Sequence, residues 1–414
     1  TSSASGLLLV TTPRAVHVAE PHTGTSNAAT GISMTGDSSR TDQFVNNSGG
    51  TVQFDVPMTY TGNTILNPGP LLRVSAKNAL DATGDLIFAG GQLRVDSASG
   101  QNRMIAPISI ANDIVMTADT TIQMENSAYE MYLAGNISLA PNSTGIARTL
   151  NVGNDQPGGA QNNAGILYLD GGISDGVGGS GNHFIKGGIG TLFFTGTNTY
   201  TGSTTLTGGL IGVNKDADWG NTSAINMVNG GIAVWENSFT TAQDYHVHGS
   251  NGYFDIAPGL TLTQDVGSVI DGGNSLMKRG LGTMVLNGTN AVTGLFVAEG
   301  VLQINGQASL GDPATTSSFS FGSDQTLGGA SAGTRYTGGT VRINFTGATN
   351  RGMVFNNNGN TNFSGGIDIT AGNTFTLNGA ASQGTEFDFG FKTGAGTLVT
   401  TATNTMRSFV MANG

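Results

Sequence analysis

The chain contains no cysteine, and this absence excludes several structural and catalytic classes. None of its 414 residues can form a disulfide, hold zinc through thiolates or act as a thiol nucleophile. Charged residues are also scarce, at 10% of the chain, against about 25% in typical soluble domains. Disorder usually combines low hydrophobicity with high charge. With 37% hydrophobic residues, this composition favours an ordered fold.

Long apolar runs and clustered basic residues are missing as well. No stretch approaches the ~20 apolar residues that span a bilayer, so we expect no membrane span. The start, Thr1-Ser-Ser-Ala-Ser, lacks the basic and apolar regions of a signal peptide, as in a mature chain after leader removal. The 16 basic residues are scattered and the net charge is −11. Phosphate binding requires clustered Lys and Arg, so we expect no nucleic-acid partner.

Glycine is abundant, with 66 residues, and much of it lies in a repeated pattern. Lys186-Gly-Gly-Ile-Gly-Thr-Leu192 recurs as Lys278-Arg-Gly-Leu-Gly-Thr-Met284, and partially as Lys392-Thr-Gly-Ala-Gly-Thr-Leu398. Short β-runs at 191–195, 203–207 and 210–213 follow the first lysine. Each run is too short to bury a core face alone and therefore needs a copy above and below it. Such self-similarity indicates a solenoid.

These residues resemble the autotransporter-associated β-strand repeat of passenger regions in bacterial surface proteins. That repeat runs K-x-G-x-G-T-L-x-L-x-G-x-N-x-Y-x-G-x-T and ends in a strand of the type Leu-x-Val or Leu-x-Ile. Residues 186–213 match it nearly throughout, and residues 278–304 match with Val292 in place of the preferred tyrosine. The resemblance implies a parallel β-helix displayed outside the cell. It implies no activity, because the motif is architectural.

We predict an all-β fold, a right-handed parallel β-helix forming a single elongated body. No apolar stripe with helical spacing occurs, so almost no helix is expected. Residues 1–48 are predicted to be an arm or cap able to donate a strand, 49–400 the repeats, and 401–414 a C-terminal strand or cap. The Gly-rich segment 171–181 is predicted to be a turn or exposed loop.

The predicted function is that of an extracellular structural or adhesive protein of the bacterial cell surface, without catalysis and without a cofactor. The first hypothesis is a subunit of a head-to-tail homopolymeric filament, and the alternative is a monomeric passenger adhesin cleaved from its barrel. Surface glycans or other cells are candidate partners. Unpaired solenoid edges accept strands. The candidate assembly residues at the two ends are therefore Leu7, Leu8, Leu9, Val10, Phe409, Val410 and Met411.

A β-helix polysaccharide lyase or hydrolase is the less favoured alternative. Glycoside hydrolysis requires two carboxylates facing each other, but Asp244, Asp255, Asp265 and Asp271 include no adjacent pair, and no pectin-hydrolase pattern occurs. Gly329-Ala-Ser-Ala-Gly333 has the Gly-x-Ser-x-Gly sequence of a nucleophile elbow. Its sequence context does not fit that motif, because we expect no buried strand before it and no helix after it. We interpret it as a loop.

His246-Val-His248 is the one suggestive metal-binding pattern, because alternate residues of a strand share a face and Asp244 is next on it. We interpret this face as polar and solvent-facing, and expect no metal site. Trp219 is predicted to be the one exposed aromatic of its region. Turn asparagines are predicted to form stacked amide ladders: Asn198, Asn214, Asn290 and Asn305. The inward residues are predicted to include Leu192, Phe194, Leu206, Val213, Met284, Leu286 and Ile304.

Overall fold

The computed structural model is built from short parallel strands. It describes residues 7–10, 16–18, 43–46, 51–54, 62–69, 71–74, 79–80, 84–95, 108–124, 130–153, 165–248, 252–311, 317–321, 338–355, 363–383, 388–406 and 409–412. Apart from strands and turns, this part of the chain contains two short 3₁₀ helices, Asp216–Trp219 and Gln307–Leu310, and no α-helix. The chain divides into two compact units, Thr1–Ile211 with Ala217–Ser223, and Gly212–Asp216 with Ala224–Gly414.

The first unit contains three stacks of hydrogen-bonded strands, named A, B and C. Stack A comprises β1 (Leu7–Val10), β3 (Gln43–Asn46), β5 (Thr64–Leu66), β7 (Leu86–Phe88), β10 (Ile114–Met116), β13 (Ile137–Leu139) and β16 (Ile173–Ser174). Stack B comprises β2 (Val16–Val18), β4 (Thr51–Phe54), β6 (Leu71–Val74), β8 (Gln92–Val95), β11 (Thr120–Met124), β14 (Ala147–Val152), β17 (His183–Gly187) and β19 (Thr204–Leu206). Stack C comprises β9 (Ile108–Ile110), β12 (Glu130–Leu133), β15 (Ile166–Leu169) and β18 (Thr191–Phe194). The boundary between the units falls within β20 (Leu210–Val213).

The second unit contains four stacks, named D to G. Stack D comprises β21 (Ile225–Met227), β24 (Tyr245–Val247), β27 (Val269–Asp271) and β30 (Thr289–Asn290). Stack E comprises β22 (Gly231–Val234), β25 (Gly252–Ile256), β28 (Leu276–Arg279), β31 (Leu295–Val297), β33 (Phe319–Phe321), β36 (Met353–Phe355) and β39 (Ala381–Gln383). Stack F comprises β23 (Phe239–Thr241), β26 (Thr261–Gln264), β29 (Thr283–Leu286), β32 (Glu299–Ile304), β34 (Gly338–Ile343), β37 (Phe363–Ile369), β40 (Asp388–Thr393) and β42 (Phe409–Met411), and stack G comprises β35 (Gly347–Thr349), β38 (Thr374–Leu377) and β41 (Thr397–Thr400).

Neighbouring strands of a stack lie in register, which places like residues above one another. In stack C, Leu133 pairs with Leu169, and Leu169 with Phe194. All three side chains are buried. Most short strands alternate buried and half-buried positions, as the two-residue period of a strand requires. The core is therefore a set of apolar columns, in which each large side chain contributes roughly 1.5–3 kcal/mol by leaving water.

The predicted fold class and inward residues are confirmed. The structure is an all-β parallel β-solenoid, and all seven predicted core residues are at most 1% exposed: Leu192, Phe194, Leu206, Val213, Met284, Leu286 and Ile304. Within the predicted arm, 1–48, only β1, β2 and β3 are described, and β1 pairs in parallel with β3. The remainder of that segment, like the loop 329–333, lies outside the described residues.

Two local predictions were wrong. Trp219 is fully buried instead of exposed, because the 3₁₀ helix Asp216–Trp219 turns its indole inward. There it packs edge-on against Phe194, with ring centroids 5.9 Å apart. The segment 171–181 is not entirely loop, since Ile173 is buried in the two-residue strand β16. The rest of that segment includes Val177, which is 85% exposed as a loop residue would be.

Candidate functional site

The lysine of the repeated motif lies inside the solenoid. Lys186 occupies an inward position of β17 and is fully buried. Its ammonium group donates hydrogen bonds to the carbonyl oxygens of Gly188 at 2.9 Å, Gly190 at 2.5 Å and Gly208 at 2.9 Å. Burial lowers the pKa of Lys186 to about 7, while three carbonyl acceptors favour the charged form. The side chain therefore caps carbonyl groups that the glycine turn directs inward.

The later copies repeat this arrangement. Lys278 is buried and donates to the carbonyl oxygens of Arg279 at 2.7 Å, Gly280 at 2.6 Å and Glu299 at 3.3 Å. Burial lowers its pKa to about 7, against the opposing charges of Asp255 and Glu299. Lys392, also buried, donates to Gly394 O at 2.5 Å. The lysine is thus a structural element of each repeat.

The backbone conformation explains why a glycine stands two residues after each lysine. Gly188, Gly280 and Gly394 have φ values of 72°, 70° and 75°. This left-handed region disfavours residues with a side chain. The turn brings the carbonyl groups toward the ammonium. In the Lys-x-Gly pattern, the glycine therefore allows the turn and the lysine satisfies its carbonyl groups.

A buried arginine, Arg351, was missed by the sequence analysis. It is fully buried, and its guanidinium donates to four carbonyl oxygens. The acceptors and distances are Val292 at 2.9 Å, Thr293 at 2.7 Å, Leu310 at 3.1 Å and Ser317 at 3.0 Å. No repeated motif contains this residue. Its only signal in the sequence is a charge in a region that has few.

The four turn asparagines make different kinds of contact. Asn305 belongs to an amide ladder as predicted, accepting from Asn344 at 3.2 Å and donating to Asn287 at 2.7 Å. Asn198 instead caps backbone groups, accepting from Ile173 N at 2.9 Å and donating to Asp218 O at 2.6 Å.

The other two asparagines also differ from a simple ladder. Asn290 accepts from the Gln264 amide at 2.7 Å inside the core. Asn214 donates to the exposed Glu236 carboxylate at 2.6 Å. The asparagines therefore join neighbouring turns by several kinds of contact.

The aspartates considered for catalysis make local contacts. Asp244 accepts from Val269 N at 2.7 Å and Asp265 from Val266 N at 2.8 Å. Asp271 contacts His246. The Asp244 and Asp271 contacts join neighbouring turns, whereas the Asp265 bond is local to its own turn.

The candidate assembly residues lie on outer strands of their stacks. Leu7, Leu8, Leu9 and Val10 form β1, the outermost described strand of stack A, and their side chains are outside the description. Phe409, Val410 and Met411 form β42, the outermost described strand of stack F. Val410 is 51% and Met411 63% exposed, whereas Phe409 is half-buried. The structure thus leaves an apolar strand accessible at that edge.

Metal binding and membrane crossing are the remaining features to consider in the described residues. No group of three or more His, Cys, Asp or Glu side chains in the described ranges is arranged to hold a metal ion. Within the same ranges, no helix is long and apolar enough to cross a membrane.

Comparison with known proteins agrees with the lysine-turn architecture. The passenger-associated-transport-repeat family matches residues 184–211 and 276–304, which contain the first two lysine turns. The chain is also 37% identical over 123 residues to the adhesin BmaC autotransporter of Brucella suis biovar 1 (strain 1330). That alignment covers 27% of this chain and 4% of the adhesin, so the chain spans a small fraction of this relative. No solved structure gives a significant match.

The class follows from these observations together. The protein is a parallel β-solenoid, and its first two lysine-capped turns match the passenger-associated transport repeat. The resemblance recognised in its sequence is thereby confirmed.

Proposed function

We propose that this chain is a surface-displayed, non-catalytic β-solenoid that serves an adhesive and structural role. The observation that carries the proposal is the presence of two passenger-type repeats in a chain similar to part of an autotransporter adhesin. The buried lysines support it, because the most distinctive residues of the motif maintain the fold. Their hydrogen bonds go to backbone carbonyls inside the solenoid.

The outward strand positions are the natural contact surface for adhesion. In stack C, Tyr132 and Tyr168 lie in register on the outer face, half-buried, with stacked rings 4.7 Å between centroids. Such regular faces offer many weak contacts in parallel, and multivalency raises the strength of attachment without any single tight site. A surface of this kind suits glycans or other cells as partners.

Adhesion is tested with beads that carry the whole chain. Beads coated with the folded protein are expected to attach to epithelial cells and to a glycan array more than beads coated with the heat-denatured chain or with albumin. Attachment should increase steeply with coating density, as multivalent binding requires. Attachment no greater than that of albumin beads on every surface would contradict the adhesive role.

A head-to-tail filament is the second candidate, favoured by the exposed apolar residues Val410 and Met411 on β42. Exposed strand edges accept strands from other molecules, and β1 is the outermost described strand of stack A. Heterologous contacts that do not close give open filaments. In this arrangement Leu7–Val10 of one copy pairs with β42 or β41 of the next.

Electron microscopy of the purified chain distinguishes this candidate from a monomer. The filament hypothesis expects long filaments from the whole chain and none after deletion of residues 1–20 or after the double substitution Val410→Lys and Met411→Lys. Val177→Lys is the matched control, since Val177 is an exposed apolar residue in a turn and belongs to neither β1 nor β42. Single particles from the unmodified chain, or unchanged filaments after both edge modifications, would refute the strand-donation mechanism.

A further inference from the structure

Two histidines share the outer face of stack D. His246 is half-buried in β24 and His248 follows directly after the strand, exposed, with the buried Val247 between them. Their rings are nearly parallel, at 19°, and their centroids are 6.1 Å apart. The backbone N–H of His248 donates to Met227 O at 2.8 Å, which holds the second histidine to the stack. The pair therefore lies on a fixed β scaffold.

A carboxylate orients the first histidine. Asp271, in register opposite His246 on β27, has its Oδ1 atom 2.5 Å from Nδ1 of the ring. Because a carboxylate accepts, Nδ1 must carry the proton, and in the neutral ring the lone pair is then on Nε2. Metal-binding histidines typically have such a carboxylate partner, which sets the tautomer and raises the basicity of the ligand.

We propose that His246 and His248 form a binding site for a divalent first-row transition-metal ion, with Asp271 as the positioning residue. Imidazole nitrogens bind such ions at about 2.0–2.1 Å. Each ring centroid then lies about 3.2 Å from the ion, so two bound rings have centroids about 4.5 Å apart at a bond angle of about 90° and about 6.4 Å apart at about 180°. The observed separation of 6.1 Å lies within this range.

The remaining coordination positions are open to water. The proposed site has only two protein ligands. It is therefore compatible with the absence, from the described ranges, of any group of three or more metal-binding side chains. Asp244 is not counted as a ligand, because its Oδ1 atom accepts from Val269 N at 2.7 Å. For imidazole ligands the affinity order favours Cu²⁺ over Zn²⁺. The site is independent of the proposed adhesive function.

The test uses the whole chain with His17 and His22 replaced by alanine. The chain has five histidines, so this parent retains His183, His246 and His248. Cu²⁺ and, separately, Zn²⁺ are titrated at neutral pH by calorimetry. Electron paramagnetic resonance counts the nitrogens bound to Cu²⁺. His183→Ala is the matched control, since His183 also lies half-buried on a strand, with Nδ1 bonded to Ser203 Oγ at 2.9 Å.

The expected result is one ion per chain, with two nitrogens coupled to Cu²⁺. His246→Ala and His248→Ala should each weaken binding at least tenfold and leave one coupled nitrogen. Asp271→Ala should retain two nitrogens and weaken binding about 10–100-fold, as loss of a metal-orienting carboxylate does. His183→Ala should match the parent. Circular dichroism checks that each variant folds, and His246→Gln provides a second variant at that position.

Three results would overturn the proposal. The first is the absence of stoichiometric binding to the parent. The second is binding that survives both His246→Ala and His248→Ala unchanged. The third is a loss of binding on His183→Ala equal to that of the two histidine variants, which would show a nonspecific response to histidine removal.

Discussion

Replacing the buried lysine of the best-matched repeat should weaken the fold. In Lys186→Met the apolar stem is kept, but three carbonyl oxygens lose their donor. A buried acceptor left without a partner costs about 1–3 kcal/mol. Only the bond to Gly190 is deeply buried, and water can reach the other two acceptors more easily. Relief of the desolvated ammonium opposes the loss, so we expect a net decrease of about 2–4 kcal/mol in the free energy of unfolding.

Trp219 provides the assay. It packs against Phe194 in the same unit, so its fluorescence reports on the part of the solenoid that contains Lys186. In a Trp235→Phe parent, urea unfolding followed at the indole of Trp219 should shift to a lower midpoint for Lys186→Met. Lys215→Met is the control, because Lys215 is exposed and surface substitutions usually change stability by less than about 0.5 kcal/mol. Equal midpoints for the two variants would refute the capping role of the motif lysine.

Three further predictions follow from buried groups. Burial lowers the pKa of Lys186 and Lys278 to about 7 from the ordinary value of 10.5. The unfolded chain therefore binds more protons between these values, and the free energy of unfolding should rise with pH across this window. Chemical denaturation from pH 7 to about pH 9.5 checks this rise, which should be smaller in the double Lys→Met variant; a flat profile would contradict it. Phe194→Asp should lower the free energy of unfolding by more than the roughly 3–5 kcal/mol typical of losing a large buried aromatic, as measured by thermal unfolding. Phe391→Asp, at a half-buried position of β40, should lower it far less. Similar losses for the two variants would mean that the register is wrong. Arg351→Leu removes the donor for four carbonyl oxygens. Calorimetric unfolding should show a larger loss of stability for this variant than for Arg342→Leu, because the Arg342 side chain is 38% exposed. The reverse order would contradict the role of Arg351 as a buried cap.

The repeated strands were predictable because several independent signals agree there. Leu71–Val74, Ile137–Leu139 and Leu210–Val213 have the bounds that alternation and flanking turn residues indicate. Strand β11, with the sequence Thr-Thr-Ile-Gln-Met, was not predicted, since its polar residues hide the alternation. Its Thr120 hydroxyl donates to Gly91 O at 2.7 Å. A neighbouring turn, which local sequence does not reveal, therefore stabilises this strand.

The candidate sites were less predictable, because they depend on contacts between turns. The motif predicts a lysine at position 186, but its three acceptors come from two different turns of the chain. Likewise, the spacing of His246 and His248 shows a shared face, while the contact with Asp271 follows only from strand pairing. Trp219 was predicted to be exposed because it lies in the polar segment 215–220, but the 3₁₀ helix there turns its side chain into the core.

The register of consecutive turns is the central structural claim, and engineered cysteines test it directly. The chain has no cysteine, so any disulfide reports on an introduced pair. Val285 and Gln303 face outward and lie opposite each other on β29 and β32. Parallel neighbours are about 4.8 Å apart, within the Cα range of a disulfide. Val285→Cys with Gln303→Cys should therefore oxidise rapidly within one chain. The pair Val285→Cys and Val301→Cys is offset by two residues, so its Cα atoms are about 8 Å apart and it should not form a disulfide. Equal oxidation of both pairs, or faster oxidation of the offset pair, would contradict the solenoid register.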